Sequence, residues 1–520
     1  MSRALQRRAP IKLAQPPQDG DGRPRIAALD LGSNSFHLVL AWVERGVPHV
    51  YDQRRENVSL GRGLRDGEPL DADARGRALA CLERFGPLLR PLDPAAVRVV
   101  GTDALRRASD GASLVTRGER LLGHAIEIVP GYEEARLIWQ GVSAMCPPAE
   151  REKRLVVDIG GGSTELISGI GWALEQARST PMGCIRFTER HFARRRLGAK
   201  RYGRARDAAL LELRPFAPRM AKRRPTRTLG ASGTMRSIGE ILAANGWSSS
   251  RREITCDGVA RLAARMLEHH EIDDVRIEGL SDDRRPVLPG GLAIVDAVME
   301  MFELPRIEVA DGALREGLLM EILGRLASAD VRDDAIAAMA ERHAVDRTHA
   351  RHVRSTAETL ADAVAEGWKL DSPETRRWLG WAAELHEVGL SVAHTGVARH
   401  GAYLIANADA PGFSREALQT LSLLVRTHRG RLDRHAYDDA RVGGRTLAKL
   451  ASILRVAVAL HADRRGRAVH VSASVDKRRL RLHLSESWLG AHPLVSKELV
   501  EHASQLEHVG IELAIETRPK

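Results

Sequence analysis

Apolar positions follow two rhythms along this chain, and the change from one to the other divides it. In the first part, short apolar runs that end in an acid or a turn alternate with stretches of helical spacing. Runs ending at Asp30, at 97–100, at 126–129, at Asp158 and at 226–230 predict strands, and 164–167 reads as a strand returning from a turn. Helical spacing marks 71–89 and the stretch after Pro130 and Gly131 that carries Glu133, Glu134, Leu137 and Ile138. It also marks the segment opened by Ala231-Ser232-Gly233-Thr234 and the one from Pro289 to Met301. Beyond about Gly324 helices follow one another to 467. Two strand-like stretches in 469–484, a helix at 493–506 and a last strand near Ile511 complete the pattern. The chain is therefore expected to be an α/β protein with a disordered basic tail (1–24) and two αβ domains (25–145 and 146–323). An all-helical domain (324–467) and a small αβ domain (468–520) follow.

Two turns carry the chemistry. The run Leu155-Val156-Val157 ends in Asp158-Ile159, followed by Gly160, Gly161, Gly162, Ser163, Thr164 and Glu165. Successive glycines leave backbone N–H groups bare, and such groups around a concavity hold an anion, phosphate above all. Asp158 and Glu165 flank that cradle, and paired carboxylates beside a phosphate suit a hydrated Mg²⁺. Earlier, Asp30-Leu31-Gly32 repeats the strand end, acid and glycine, with Ser33, Asn34 and Ser35 adding side-chain donors. A lone glycine hairpin between core strands needs no ligand. A fragment repeated once, far apart, points instead to a duplicated domain whose halves face each other across a cleft. Small residues around Gly233 at a helix start offer a further anion site.

Eight motifs occur in order over nearly the whole chain. They are D-L-G-S-N-S-F-H from Asp30, G-T-D-A-L-R from Gly101, G-Y-E-E-A-R-L-I from Gly131, D-I-G-G-G-S-T-E-L from Asp158, P-M-G-C from Pro181, G-A-S-G-T from Gly230, D-G-A-L-R-E-G from Asp311 and L-H-E-V-G-L from Leu385. In this series the chain resembles the exopolyphosphatase / guanosine pentaphosphate phosphohydrolase (Ppx/GppA) family of the actin-like superfamily. The resemblance implies two duplicated actin-like (ribonuclease H-like) αβ domains. It implies Mg²⁺ on Asp30, Asp158 and Glu165, with potassium left open as an activator, and Glu134 as the base that activates water. The phosphates would be held by Gly32, Ser33, Asn34, Ser35, Arg106, Gly160, Gly161, Gly162, Ser163, Thr164 and Gly233. Spacing alone leaves Glu133 and Glu134 open, although adjacent helical residues do not share a face. Asp30 capping its own turn and Arg106 as one more solvated arginine are the bland alternatives.

The 324–467 region is similar to the His-Asp (HD) metallohydrolase fold, with His352 as the first candidate ligand and His386-Glu387 in place of the His-Asp pair. Val458 occupies the later aspartate position, so the resemblance implies a degenerate metal site. Its His394, Arg399, His400, Arg426, His428 and Arg429 are expected to present cations to a long polyphosphate, with a structural remnant as the alternative. These residues favour the exopolyphosphatase branch: Mg²⁺-dependent, processive release of orthophosphate from inorganic polyphosphate. Guanosine pentaphosphate is the alternative substrate, and an actin-like ATPase or kinase the more remote one. A homodimer is implied.

Charge changes this picture little. The formal net charge of +11 suits a polyanion, or only an arginine-rich composition. Aromatics make up 4% and do not interleave with the basic runs, which argues against a nucleic-acid stacking platform. No run is long and apolar enough for a membrane span and 1–22 has no leader pattern, so a cytoplasmic protein is expected, with a peripheral place at the inner membrane surface left open. The four cysteines show no paired spacing. Cys184, followed by Ile185, Arg186 and Phe187, lacks the loop of a nucleophilic-cysteine phosphatase and is expected to be a small buried residue.

Overall fold

The runs that end at Asp30 and Asp158 each become the central strand of a sheet. The structure, a computed structural model, describes residues 24–44, 46–62, 64–221, 224–326, 330–433, 435, 437, 443–464 and 469–518. All of the expected tail except Pro24 lies outside them. In the first sheet β1 (Arg25–Leu31) pairs antiparallel with β2 (Ser35–Glu44), and β2 with β3 (Val47–Asn57). On its other side β1 runs parallel to β4 (Val97–Gly101), and β4 to β5 (Ile126–Ile128). The second sheet repeats this order with β6 (Lys153–Ile159), β7 (Thr164–Ile170), β8 (Ala173–Thr180) and β9 (Arg227–Ala231). There β10 (Glu253–Thr255) is added antiparallel to β11 (Arg306–Val309), which runs parallel to β9. Three antiparallel strands followed by parallel crossovers thus occur twice. The duplication suggested by two short turns extends to whole sheets.

Strands β3 and β8 were not legible in the sequence. β3 is solvated along most of its length and reads Y-D-Q-R-R-E-N at its end. Such a polar strand is held by pairing to β2 rather than by an apolar face of its own.

Between the sheets lie the helices Gly131–Met145 and Leu314–Leu326. One apolar core joins Ile26 and Val39 of the first sheet to Val156 and Leu229 of the second through Leu137, Val142, Leu318 and Ile322 of these helices. The helices cross backbone to backbone. A Cβ on Gly141 would stand 2.0 Å from the Ala313 carbonyl oxygen, and one on Gly317 would stand 1.9 Å from that of Leu137. At the crossing Glu321 is 4% exposed and accepts from Arg98 at 2.6 Å and also from Arg136, which pairs with Glu133 at 2.7 Å. Those buried charges are matched, as burial demands.

The chain divides into two compact units at Asp330/Val331 rather than after 323, because Leu314–Leu326 belongs to the core under both sheets. In the second unit the helices and the sheet of β12 (Ser472–Asp476), β13 (Arg479–Ser485) and β14 (Glu512–Arg518) share one core. Leu480, Leu482 and Leu513 are in the same cluster as Trp368, Leu450 and Ile453. The two domains expected over 324–520 are therefore a single packing unit. No described helix is long and apolar enough to cross a membrane.

The crossing predicts that Gly141→Val lowers stability by roughly 3 kcal/mol in urea unfolding, since backbone leaves it no room. Gly203→Ala, in a helix with no atom within 4 Å of the added methyl, should leave stability unchanged or raise it slightly.

Candidate functional site

Both central strands end at one cleft of about 470 Å³. The two turns have the same shape, for a Cβ on Gly32 would meet the Ser35 carbonyl oxygen at 3.0 Å and one on Gly160 the Ser163 oxygen at 3.2 Å. They also nearly touch. A Cβ on Gly161 would lie 3.0 Å from Ser33 Cβ and 3.3 Å from Asn34 N, and one on Gly162 would lie 1.8 Å from Asp103 Oδ2. Glycine is required there by close approach, which is how two backbone cradles can face one anion. Asn34 Nδ2 and Ser232 Oγ are buried without a hydrogen-bond partner, and both residues line the cleft. Ser232 has φ +87°, a strained value for a side-chain-bearing residue, at the start of the helix Ser232–Ala244.

Asp30, Glu134, Asp158 and Glu165 form an acidic floor to the cleft. Burial, then the Glu134 charge, pushes Asp30 up to about 8 and Asp158 up to about 7. Burial, then Glu134 and Asp158, holds Glu165 well above the carboxylate range, although Ser179 Oγ donates to it at 2.7 Å. Glu134 is also raised by burial, opposed by Arg106, whose Nη1 donates to it at 2.8 Å and to the Val129 carbonyl at 2.7 Å. Asp30 Oδ1 is buried with no hydrogen-bond partner. Crowded acids with an orphaned oxygen and only oxygen donors fit a hard divalent cation.

Arg54, Arg55, Arg236, Arg284 and Arg315 line the same cleft, and Arg54 is paired with Asp52 at 3.0 Å. Burial, then its arginine neighbours, lowers Arg236, and burial followed by Arg284 lowers Arg55. Arg236 and Arg284 form no ion pair with any described carboxylate, while Arg55 lies 3.5 Å from Asp283. Arg315 Nη1 is 2.9 Å from His37 Nδ1, and His37 Nε2 is 2.7 Å from Ser35 Oγ. A guanidinium only donates, so Nδ1 accepts, Nε2 carries the proton and donates to Ser35, and the Ser35 hydroxyl keeps its own proton for a ligand. Burial, then Arg315, pushes His37 down to about 2, consistent with that neutral ring.

Of the expected site residues, Asp30, Gly32, Ser33, Asn34, Ser35, Glu134, Asp158, Gly160, Gly161, Gly162, Ser163, Glu165 and Gly233 line this cleft together. Two do not fit as expected. Thr164 is fully buried with its hydroxyl given to the Met182 carbonyl, because it opens strand β7. Arg106 is spent on Glu134 and Val129 behind the lining. Glu133 faces away, paired with Arg136. Cys184 is 1% exposed, and burial pushes its thiol up. His37 and Arg315 were missed as functional groups although both stand inside motifs that carry the resemblance. Arg55, Arg236 and Arg284 left no signal among so many arginines.

In the second unit the cation track needs correction. His428 is 1% exposed with Nδ1 on the Val425 carbonyl, and burial pushes it down to about 3, so it presents no charge. Arg429 lies 3.4 Å from Glu498. His394, Arg399 and Arg426 are exposed and His400 is half-buried. His349 rather than His352 approaches His386 and Glu387, because His352 stacks on His461 instead. Val458 is buried in the core.

The profile of the Ppx/GppA phosphatase family matches residues 39–326, and that of Ppx/GppA phosphatase, domain III, matches 331–503. The guanosine-5'-triphosphate,3'-diphosphate pyrophosphatase of Photobacterium profundum is 34% identical over 498 residues, 95% of this chain and 98% of that protein. The protein of the same name from Vibrio atlanticus is 34% identical over 500 residues, again 95% and 98%. A crystal structure of an exopolyphosphatase from Cytophaga hutchinsonii aligns with a TM-score of 0.53 at 24% identity, over 58% of this chain and 98% of that one, which is a likeness of fold.

The acidic floor sets a pH dependence. Folded, metal-free protein holds protons on Asp30 and Asp158 that the unfolded chain releases in the ordinary carboxylate range, so this stability is full at low pH and is lost as pH rises through about 7 and 8. Chelator-treated protein is expected to melt at a lower temperature at about pH 9 than at about pH 6, and added Mg²⁺ to narrow the gap. Scanning calorimetry of wild type and Asp30→Asn/Asp158→Asn checks this; the variant should lose most of the difference.

Proposed function

The chain belongs to the Ppx/GppA phosphatase family, and from that premise we propose that this hydrolase removes the terminal 5'-phosphate of guanosine-5'-triphosphate,3'-diphosphate. One observation carries the reading: the acidic floor shares the cleft with five arginines, of which Arg236 and Arg284 form no ion pair with a described carboxylate. A cleft of that polarity suits a ligand with several phosphates, one end over the acids and the rest along the guanidiniums. The names of the near-full-length relatives favour the guanosine substrate. Inorganic polyphosphate, first expected, ranks second, because the track that favoured it contains the buried, neutral His428.

In this reading the terminal phosphoryl group sits between the two cradles, receiving backbone N–H groups from both turns and the Ser35 hydroxyl. Asp30, Asp158 and Glu165 would hold Mg²⁺, which neutralises phosphate charge when bound. Glu134 takes a proton from water as the water oxygen forms its bond to phosphorus. The bond from phosphorus to the bridging oxygen breaks, releasing orthophosphate and guanosine 5'-diphosphate,3'-diphosphate. Arg106 favours the ionised form of Glu134, the form a base requires, against the effect of burial.

Glu134→Gln is expected to lower kcat by about 10²- to 10⁴-fold while substrate binding is retained. Arg284→Ala should raise KM by roughly tenfold or more with a smaller change in kcat. Phosphate release compared on guanosine-5'-triphosphate,3'-diphosphate, long polyphosphate and ATP checks the substrate. Faster turnover of polyphosphate or ATP would overturn the assignment.

A further inference from the structure

A chain of alternating charges begins and ends on the glycine turn of the cleft. Gly160, Gly161 and Gly162 have no side chains with which to fix their turn, so its position comes from what packs on it. On one side it is tied to the helix Cys184–His191. Cys184 N donates to the Gly160 carbonyl at 2.9 Å, and the N–H groups of Ile185 and Arg186 donate to the Gly161 carbonyl at 3.0 and 3.2 Å. On the other side Asp103, a buried residue of the first half, presses on Gly162, its Oδ2 standing where a Cβ would be.

Ion pairs join these two contacts. Arg186 Nη2 donates to Asp66 Oδ2 at 2.7 Å, Arg107 Nε donates to Asp66 Oδ1, and Arg107 Nη1 donates to Asp103 Oδ2 at 3.0 Å. Asp66 lies in the loop between β3 and the helix Ala72–Leu89. Arg107 holds that loop further: its Nη2 donates to the Leu64 carbonyl at 2.8 Å, and its own carbonyl accepts from Gly67 N at 3.1 Å. The hydrogen bond from Arg107 keeps Asp66 below the ordinary carboxylate range despite burial, so Asp66 stays charged. None of Asp66, Asp103, Arg107 and Arg186 lines the cleft. The Asp66 side chain is 63% exposed, and a pair so accessible adds little to stability. It can still fix geometry, because through it the first half grips the turn of the second from both sides.

We propose that Asp66 and Arg186 are positioning residues, a clamp that sets the glycine cradle of the second half against the Ser33-Asn34-Ser35 cradle of the first. A transferring phosphoryl group gripped from both sides needs both cradles at fixed spacing, and a small misplacement of one costs rate. The inference rests on the reading that the cleft hydrolyses a terminal phosphoryl group, whichever substrate carries it.

The test uses the full chain with Mg²⁺ and follows phosphate release from guanosine-5'-triphosphate,3'-diphosphate, long polyphosphate and ATP. The variants are compared on the substrate that wild type turns over fastest, so a wrong substrate shows in wild type and not in the clamp. Asp66→Asn and Arg186→Gln should each lower kcat by roughly tenfold with KM changed less, and the double variant should lose no more than the worse single one. Asp66→Glu should recover most of the rate. Asp273→Asn, which breaks the exposed pair with Arg195 elsewhere in the second half, should leave kcat unchanged. Melting by circular dichroism should be the same for all of them. Hydrogen exchange in the peptide spanning 159–164 should be faster in Asp66→Asn than in wild type, a readout that needs no turnover. The proposal is overturned if Asp66→Asn keeps the wild-type kcat or if the two single losses multiply in the double variant. Should wild type turn over none of the three substrates, unchanged exchange in Asp66→Asn overturns it.

Discussion

Like charges held close together out of water are the constraint on which the first unit turns. Asp30, Glu134, Asp158 and Glu165 share one floor; the Glu134 charge raises the pKa of the other three, and Asp158 raises those of Asp30 and Glu165. Nothing in elementary folding energetics rewards such a cluster, because burying a charge without a partner is among the most unfavourable things a fold can do. The sheets, the turns and the paired helices make it tolerable by rigidity. Asp30 and Asp158 stand at equivalent ends of β1 and β6, so neither can withdraw without breaking a ladder. Rigid, under-compensated acids are what a hydrated cation and a polyanion can stabilise together.

The duplication explains why the pieces meet. Each half contributes a central strand, a tight turn and an acid, and the halves are joined through the crossing of Gly131–Met145 and Leu314–Leu326. That crossing is set by Gly141 and Gly317, where any side chain would strike a carbonyl oxygen. Glu134 lies on the first of these helices and Arg315 on the second. Glu134 and Arg315, both in the cleft lining, are thus positioned by the same backbone contact that holds the halves together. The glycines of the Asp158 turn work in the same way at the cleft itself, since Gly161 and Gly162 leave room for Ser33, Asn34 and Asp103 of the other half.

The sequence made the acid-bearing turns readable because each combines an apolar strand, an acid and glycine in a local pattern. The helix carrying Glu134 was legible from its spacing, and β1, β4, β6 and β9 from their apolar runs. What it hid was decided by tertiary partners. Polar edge strands β3 and β8 exist because β2 and β7 lend them hydrogen bonds. The helical and C-terminal regions fuse because Leu480 and Leu482 fall on the same core as Trp368, which no local pattern states. Thr164 and Arg106 read as ligand-facing by motif, yet each has a nearer acceptor. That Arg236 and Arg284 form no ion pair with any described carboxylate is a property of three-dimensional neighbourhoods and not of spacing.

Burial also decides the fate of the cation track expected in the second unit. A polyphosphate track in the second unit required His428 to be charged and reachable, and it is neither, because Val425 and the ring of His386 enclose it. Arg429, next to it, faces Glu498. In the cleft, burial and neighbouring guanidiniums lower the pKa of both Arg55 and Arg236. An anion that brings several negative charges into that cleft relieves the repulsion at each guanidinium.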